Sequence, residues 1–229
     1  MHQLAICATI RDEARDLREW VAFHRPMRVE HFWLYDNFSQ DEPEQVLEAE
    51  IEAGIVEILR WEVPFQSGGQ IQAYRHCLDT RRDETKWLAF LDIDEFLFSP
   101  SLASLPQALE RFEAHPGVAV NWRGFGSSGR AEREGLLTLE AFTRRAPTNW
   151  IRNHRVKSVV QPAQTERIQS IHGRVYYEGA LAVNGRGVPV RLVYSSRARR
   201  RWRRWLSVFF PRGPPQRPDR RHRRPLVHR

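Results

Sequence analysis

The stretch Trp87-Leu-Ala-Phe-Leu-Asp92-Ile-Asp94-Glu95-Phe96 sets an apolar run directly against three carboxylates. The apolar run predicts a buried strand, and the Asp-x-Asp after it predicts two like charges at a sheet edge. Because side chains alternate along a strand, Asp92 and Asp94 are expected to point the same way, with Ile93 pointing into the protein. Like charges repel unless a cation lies between them, and hard divalent ions prefer oxygen ligands. The stretch therefore predicts a Mg²⁺ or Mn²⁺ site completed by substrate phosphates, although a solvated strand end is the simpler alternative.

Apolar periodicity before this stretch predicts strands and helices in alternation. Strands are expected at residues 4–9, 31–36, 55–61 and 87–92, and helices at residues 13–25, 43–53 and 70–81. In the first helix Leu17, Trp20, Val21 and His24 share one face, and Asp12 is the expected N-cap. This order is typical of an α/β fold with a Rossmann-type, mostly parallel sheet and helices on both faces.

Polar residues follow several of these strands. Arg11 and Asp12 come after the first strand, Asp36 ends the second, and Gln70 follows the third. Ligands bind beyond the carboxyl ends of strands in such sheets, so these residues are expected to share one edge with Asp92. Arg11 could meet a phosphate and Asp36 a ribose or base. Taken singly, each also fits a surface charge, a turn former or a helix cap.

Length and composition predict one enzyme-sized domain with a tail. The chain has 229 residues, of which 41% are hydrophobic. It has no apolar run near the roughly 20 residues that span a bilayer and no signal-like N-terminus, so a cytoplasmic location is expected. Cys7 and Cys77 belong to no metal-binding or redox motif and are expected to be reduced and buried.

Positive charge is concentrated at the C-terminus. Residues 197–229 contain thirteen arginines and one acidic residue, whereas residues 1–196 carry 23 basic and 27 acidic residues. A domain that reads nucleic acid through its folded face needs its positive charge there. Specific nucleic-acid binding by the domain is therefore not expected.

An ordered series of blocks resembles family-2-type glycosyltransferases, and most of all the branch related to family 92. The blocks are residues 6–13, 33–41, 69–78 and 87–96, followed by 125–129, 140–144, 157–158 and 171–172. The resemblance covers about residues 4–178. It implies a GT-A-like fold, a nucleotide-diphosphate sugar donor with UDP as the default, a divalent metal, and a glycan or other hydroxyl acceptor in glycan or polysaccharide synthesis.

The resemblance also implies a role for each matching position. Asp92 and Asp94 match the metal and diphosphate motif, and His172 is the candidate third metal ligand. The remaining candidates are Arg11, Asp12, Glu13, Asp36, Gln70 and Asp92 for the donor nucleotide, and Gly126, Ser127 and Ser128 for the sugar or acceptor. Glu140 is the candidate base, which in inverting members deprotonates the acceptor hydroxyl for a single displacement. A solvated helix or strand carboxylate is the alternative for Glu140.

The chain departs from the family pattern after His172. An Asn-His-Tyr segment with a metal-binding histidine is expected there, but residues 192–197 contain no histidine. We expect a glycosyltransferase domain at residues 1–196 that is incomplete at its C-terminal end, followed by an Arg/Pro/Trp-rich tail at 197–229. Three interpretations of the tail stay open: a shifted reading frame, an amphipathic helix on an anionic membrane surface, and nonspecific RNA binding.

Two other functions remain alternatives. Without the missing histidine the chain could be a catalytically impaired nucleotide-sugar-binding domain. An Asp-x-Asp after a strand also occurs in haloacid-dehalogenase-type phosphatases, but there the motif follows the first strand and a later acidic pair binds Mg²⁺. Here the motif follows the fourth predicted strand, and no such pair comes after it.

Overall fold

The computed structural model describes residues 1–190 except Glu132 and Glu134. The predicted tail at residues 197–229 lies outside the described residues, as does the segment 192–197 that lacks the expected histidine. The interpretations of the tail therefore stay predictions.

The described strands and helices alternate in the first half of the chain, as predicted. The strands are β1 His2–Ile10, β2 His31–Asp36, β3 Val56–Arg60, β4 Thr85–Phe90, β5 Gly117–Asn121, β6 Val156–Val160, β7 Thr165–Ile168, β8 Arg174–Tyr176, β9 Ala182–Asn184 and β10 Pro189–Val190. The α-helices are α1 Ala14–His24, α2 Pro43–Val46, α3 Glu48–Glu52, α4 Gly69–Thr80, α5 Leu105–Glu110 and α6 Thr138–Ala141. Short 3₁₀ helices lie at Phe65–Ser67, Ile151–His154, Pro162–Gln164 and Tyr177–Gly179.

The main sheet has the strand order β10-β9-β5-β6-β4-β1-β2-β3. Strands β3, β2, β1 and β4 are parallel to one another, and β9 is parallel to β5. Strand β6 runs antiparallel to both β4 and β5, so it begins at the edge where β4 ends. The predicted α/β fold with a mostly parallel sheet is confirmed.

Side chains of the sheet pack into a core on each face. On one face Leu4, Ile6, Ala8 and Ile10 of β1 pack with α1 and α5. On the other face Ala5 and Cys7 pack with α4 and with the two-stranded sheet of β7 and β8. The predicted helix cover on both faces is thus present, and both cysteines are free and buried, as expected.

Helix α1 buries the predicted face, but its N-cap prediction is wrong. Leu17, Trp20, Val21 and His24 are buried. The N-cap position is Glu13 rather than Asp12, and the Glu13 side chain makes no capping hydrogen bond. Instead Asp41, in the loop after β2, accepts a hydrogen bond from the Ala14 N–H at 2.8 Å. A residue distant in sequence therefore does the work that local pattern assigned to Asp12.

Strand β4 ends at Phe90, two residues earlier than predicted. The Glu95 carboxylate accepts the Asp92 N–H at 2.9 Å, and the Glu95 N–H donates to the Asp92 carbonyl at 3.0 Å. These two bonds close a turn, so strand alternation does not set the directions of Asp92 and Asp94. Ile93 is buried as expected, at 2% exposure, but within this turn. We call residues 91–97 the acidic turn.

Two side chains of helix α1 bind the backbone of the acidic turn. The Trp20 indole N–H donates to the Glu95 carbonyl at 2.8 Å. The Leu97 N–H donates to Nε2 of His24 at 3.0 Å, and Nδ1 of His24 lies 2.8 Å from the Trp20 carbonyl. These two contacts require a neutral imidazole with its proton on Nδ1. Burial lowers the pKa of His24 to about 4, which keeps the ring neutral near pH 7.

Within residues 1–190, apart from the two positions left out, no helix is long and apolar enough to span a membrane.

The protein should lose stability in mild acid because of His24. The unfolded chain takes up the proton near pH 6.5, but folded His24 takes it up only near pH 4. Between these values the unfolded state binds more protons, so the free energy of unfolding falls as pH falls, by about 3 kcal/mol in total for this group. Urea unfolding of the wild type and His24→Gln across pH 4–7 should show the shallower slope in the variant. His115→Gln is the control, and equal slopes for the wild type and His24→Gln would contradict the assignment.

Candidate active site

The carboxylate of Asp92, at the carboxyl edge of the sheet, contacts three side chains. Its Oδ2 lies 2.7 Å from Nζ of Lys157 in β6. Its Oδ1 accepts a hydrogen bond from Nε2 of Gln70 at 3.0 Å and a longer one from the Tyr74 hydroxyl at 3.4 Å. Gln70 and Tyr74 lie one turn apart on α4 and bond to each other at 3.2 Å. Asp92 is therefore fixed between α4 and β6.

Lys157 compensates more than one charge of the acidic turn. Its Nζ also lies 3.1 Å from Oε2 of Glu95, and its side chain is only 4% exposed. Because β6 is antiparallel to β4, the start of β6 brings this ammonium group to the end of β4. A buried ammonium shared by two carboxylates is strongly held, since leaving either partner alone would strand a desolvated charge.

Three neighbouring carboxyls bind protons more tightly than usual. Burial, with further contributions from Asp94 and Asp92, raises the pKa of Glu13 to about 7. Burial also raises the pKa of Glu95 to about 7, against the opposing charge of Lys157. Desolvation and the Asp92 charge raise the pKa of Asp94. Burial is the largest cause of each raised pKa, and repulsion between the carboxylates adds to it, which a bound cation would relieve.

The carboxylates at this edge suit a hard divalent cation, but they do not form a complete site by themselves. Asp94 is exposed beside Asp92, and carboxylate oxygens suit Mg²⁺ and Mn²⁺. However, no three His, Cys, Asp or Glu side chains among the described residues group closely enough to hold an ion. Asp92, Asp94 and His172 are therefore not a preformed three-ligand site, and substrate oxygens would have to complete the coordination. The three metal assignments stay predictions.

His172 lies in the same region as Lys157. Its Nδ1 is 3.0 Å from the carbonyl of Val156, and its ring contacts the Trp122 ring with 5.9 Å between centroids. Burial, and then the nearby Lys157 charge, lowers the pKa of His172. The imidazole is consequently neutral near pH 7, which is the form that binds metals.

Two other predicted donor residues, Asp36 and Asp12, contact the loop after β2. Asp36 accepts the Ser39 N–H at 3.1 Å, which is a turn-forming contact. Asp12 accepts the Gln40 N–H at 2.6 Å, and its carboxylate lies 3.8 Å from Nε of Arg11. Arg11 and Asp12 are both exposed, so they lie at the border of the site rather than inside it.

The predicted acceptor residues lie on a paired stretch of chain after β5. Ser128 Oγ accepts the N–H groups of Thr143 and Arg144 at 2.9 and 3.0 Å. The Gly126 N–H donates to the Arg144 carbonyl at 3.0 Å. Ser127 is exposed beside them. These contacts fold the stretch and leave its outer surface open to a ligand.

Glu140 has a structural contact at the start of α6. Its carboxylate accepts the Leu137 N–H at 3.2 Å, as in a capping box. Glu19 of α1 accepts the next two N–H groups, of Thr138 and Leu139, at 2.7 and 3.0 Å. Among the described residues no hydrogen bond or ion pair joins Glu140 to the acidic turn, so the catalytic assignment remains a prediction.

Sequence reasoning missed the compensation of the acidic turn by Lys157, and the contact of Tyr74. A signal was present. Lys157 is one of only two lysines in the chain, and it lies directly after the apolar residue Val156. Only the antiparallel pairing of β6 shows that it reaches Asp92.

The chain is similar to proteins of one family over most of its length. The profile of glycosyltransferase family 92 matches residues 2–186. A glycosyltransferase family 92 protein of Oryza sativa is 30% identical over 82% of this chain and 32% of its own length. A galactan β-1,4-galactosyltransferase of Arabidopsis thaliana is 31% identical over 45% of this chain and 21% of its own length. The chain spans about a third or less of these curated relatives.

Solved structures show a weaker likeness. Glucosyl-3-phosphoglycerate synthase of Mycobacterium tuberculosis, in complex with Mn²⁺, UDP-glucose and phosphoglyceric acid, has a TM-score of 0.44 at 13% identity, over 85% of this chain and 73% of that one. Staphylococcus aureus TarS in complex with UDP has a TM-score of 0.42 at 15% identity, over 57% and 38%.

The two lysines of the chain give a matched test of charge compensation. Lys157→Met should lower the free energy of unfolding by about 2 kcal/mol or more, because Asp92 and Glu95 lose their buried partner. Lys86→Met removes a surface pair with Glu113 and should cost less than about 1 kcal/mol. Urea denaturation at pH 7 measures both. Equal losses would show that Lys157 does not neutralise the acidic turn, and Glu95→Gln should partly rescue Lys157→Met.

Proposed function

Because the chain belongs to glycosyltransferase family 92, we propose that it transfers a sugar from a nucleoside-diphosphate sugar to an acceptor hydroxyl. The observation that carries the proposal is the acidic turn, in which Asp92 is fixed by Lys157 and Gln70 at the carboxyl edge of the sheet. That edge is where ligands bind in α/β sheets. A rigidly held carboxylate beside an exposed one suits a diphosphate bound through a cation.

The donor would be a UDP-sugar bound beside the loop after β2. Arg11 is exposed at the end of β1 and would meet a phosphate, since its guanidinium offers several N–H donors. Gln70 and Lys157 would act through Asp92 by holding its carboxylate in one orientation. Asp12, Glu13 and Asp36 would border the nucleotide.

Asp94 and Asp92 would hold the divalent cation, with His172 as a further candidate ligand. When bound, such an ion neutralises charge that develops on the departing diphosphate. Asp94 is the better placed of the two carboxylates because it is exposed, whereas Asp92 already contacts Lys157.

Transfer would invert the anomeric centre, with Glu140 accepting the proton of the acceptor hydroxyl. Glu140 is exposed on α6 and still has acceptor capacity beyond its bond to Leu137. The residues Gly126, Ser127 and Ser128 would lie beside the sugar or acceptor. The reaction would serve glycan or polysaccharide synthesis, in the cytoplasm and peripherally on the inner face of the membrane.

A nucleotide-sugar-binding domain with impaired catalysis is the second candidate. The observation that favours it is the lack of a preformed group of three metal ligands within the described residues. Such a domain would bind a UDP-sugar without turning it over, so binding and hydrolysis must be measured separately.

Removing the Asp92 and Asp94 charges should abolish metal-dependent nucleotide binding. For the wild type, UDP at one hundred times its dissociation constant with Mn²⁺ should raise the melting temperature by roughly 5–10 °C. Asp92→Asn, Asp94→Asn should show no such metal-dependent rise, because neutral amides bind hard cations weakly. Thermal shift with and without Mn²⁺ measures the difference.

Asp83→Asn is the matched control. Asp83 is exposed and lies just before β4 begins, at the opposite end of that strand from Asp92. It should keep the full Mn²⁺-dependent rise. A rise that survives in the Asp92 and Asp94 double variant would place the donor elsewhere. Hydrolysis of UDP-galactose by the wild type would separate the enzyme from the impaired domain.

Glu140→Gln tests the candidate base. The amide oxygen can still accept the Leu137 N–H, so folding should be retained while proton transfer is lost. The turnover number for UDP-galactose hydrolysis should fall about 100-fold with little change in donor affinity. Undiminished turnover in a folded variant would leave Glu140 with its capping role alone.

A further inference from the structure

Positive charge is concentrated in one part of the folded chain. Residues 122–155, here called the basic segment, contain seven arginines and three acidic residues. Residues 1–196 as a whole carry 23 basic and 27 acidic residues, so the rest of the domain is acidic. A local excess of arginine on an acidic domain favours a partner that is itself anionic.

The basic segment doubles back on itself. The Ala146 N–H donates to the Gly124 carbonyl at 2.7 Å, and the Gly126 N–H donates to the Arg144 carbonyl at 3.0 Å. Phe125 and Arg145 form an isolated antiparallel bridge between these bonds. The pairing holds the backbone of Arg144 and Arg145 beside Phe125.

Arginines and aromatic rings occur together along the segment. The Arg155 guanidinium lies 5.5 Å from the centre of the Trp122 ring, and the Arg152 guanidinium lies 5.6 Å from that of Trp150. Trp150 packs directly on Gly124, where an added Cβ would come within 2.4 Å of the ring. Only glycine at this position leaves room for the Trp150 ring.

Most of these arginines are exposed and lack a partner among the carboxylates that the structure describes. Six are exposed: Arg123, Arg130, Arg144, Arg145, Arg152 and Arg155. None of the six forms an ion pair with a carboxylate that the structure describes. Only Arg133 does so, at 2.6 Å from Asp16. Phe125 and Trp150 are 55% and 38% exposed. The segment thus presents positive charge and aromatic surface together.

The segment begins at the candidate active site. The Trp122 N–H donates to the Arg155 carbonyl at 3.0 Å, and the Trp122 ring contacts His172. Arg155 stands two residues before Lys157, which contacts Asp92. A ligand on the basic segment would therefore extend outward from the edge where the donor sugar is proposed to bind.

We propose that the basic segment binds a sugar chain that carries carboxylates, which makes an acidic glycan the acceptor class. The inference rests on the proposed function, because a glycosyltransferase must hold an acceptor beside its donor. Planar guanidinium groups match carboxylates with two parallel hydrogen bonds. Exposed aromatic faces offer apolar surface to the faces of sugar rings. Single-stranded RNA also binds such surfaces, and the experiment separates the two.

Binding of a galacturonic acid hexasaccharide to the full chain tests the proposal. Arg145→Gln, Arg152→Gln should weaken binding about tenfold, since two exposed charge contacts are lost. Arg28→Gln, Arg186→Gln is the control, because both residues are exposed and lie outside the segment. It removes the same charge and leaves the thirteen tail arginines in place, so it should change binding less than twofold. The methyl-esterified hexasaccharide should bind at least tenfold more weakly than the acid.

Three results would overturn the proposal: equal weakening by the two double variants, equal affinity for acid and ester, or tighter binding of a uridine dodecanucleotide that the segment variant abolishes. UDP-galactose hydrolysis is measured in parallel for every variant. If the wild type hydrolyses no donor, the proposed function fails, whereas the binding comparison still reports on the basic segment. Melting temperatures within about 2 °C of the wild type would show that the exposed substitutions leave the fold intact.

Discussion

The acidic turn concentrates carboxylates that repel one another, and the surrounding elements are arranged to hold it. Trp20 and His24 of α1 bind its backbone from behind, and Lys157 contacts Asp92 and Glu95 from β6. Gln70 then fixes the orientation of the Asp92 carboxylate. Because these contacts come from three elements far apart in sequence, the turn can exist only once the sheet has formed. Trp20 consequently belongs both to the core and to the support of the candidate active site.

The reversal of strand direction at β6 has a chemical consequence. A parallel strand beside β4 would place its carboxyl end at this edge, whereas the antiparallel β6 places its beginning there. That beginning carries Lys157, and the end of the neighbouring β5 leads into the basic segment. The same reversal therefore supplies the ammonium that compensates the acidic turn and the arginines proposed to bind the acceptor. The proposed donor and acceptor surfaces would meet where the two strands adjoin.

Carboxyl groups crowd this edge of the sheet and hold their protons more tightly than usual. Lys157 neutralises part of the acidic turn, yet the pKa values of Glu13 and Glu95 are still raised to about 7. Burial is the larger cause, and mutual repulsion adds to it. A site lined by carboxylates binds an anionic diphosphate only if a cation accompanies it. The lack of three grouped protein ligands among the described residues means that the cation and the diphosphate would have to bind together.

Several site residues could be predicted because they follow strands. Gln70 indeed contacts Asp92, and Ile93 is buried, but the reason given for Ile93 was wrong because the strand had already ended. Asp12 failed as an N-cap because Asp41, distant in sequence, reaches the same helix end. Local patterns cannot represent such long-range contacts. The catalytic assignment of Glu140 stays a prediction, since the structure shows its carboxylate accepting the local Leu137 N–H.

The sequence by itself determined the order of strands and helices, the buried face of α1, the edge that carries the polar residues and the family of the chain. These features depend on apolar periodicity and on local motifs, which a linear pattern records. Only the tertiary structure decided that Lys157 compensates Asp92, that α1 anchors the acidic turn, and that arginines and aromatic rings pair beside the site. Each of these depends on strand pairing between segments tens of residues apart, because hydrogen bonds and Coulombic contacts act through space rather than along the chain.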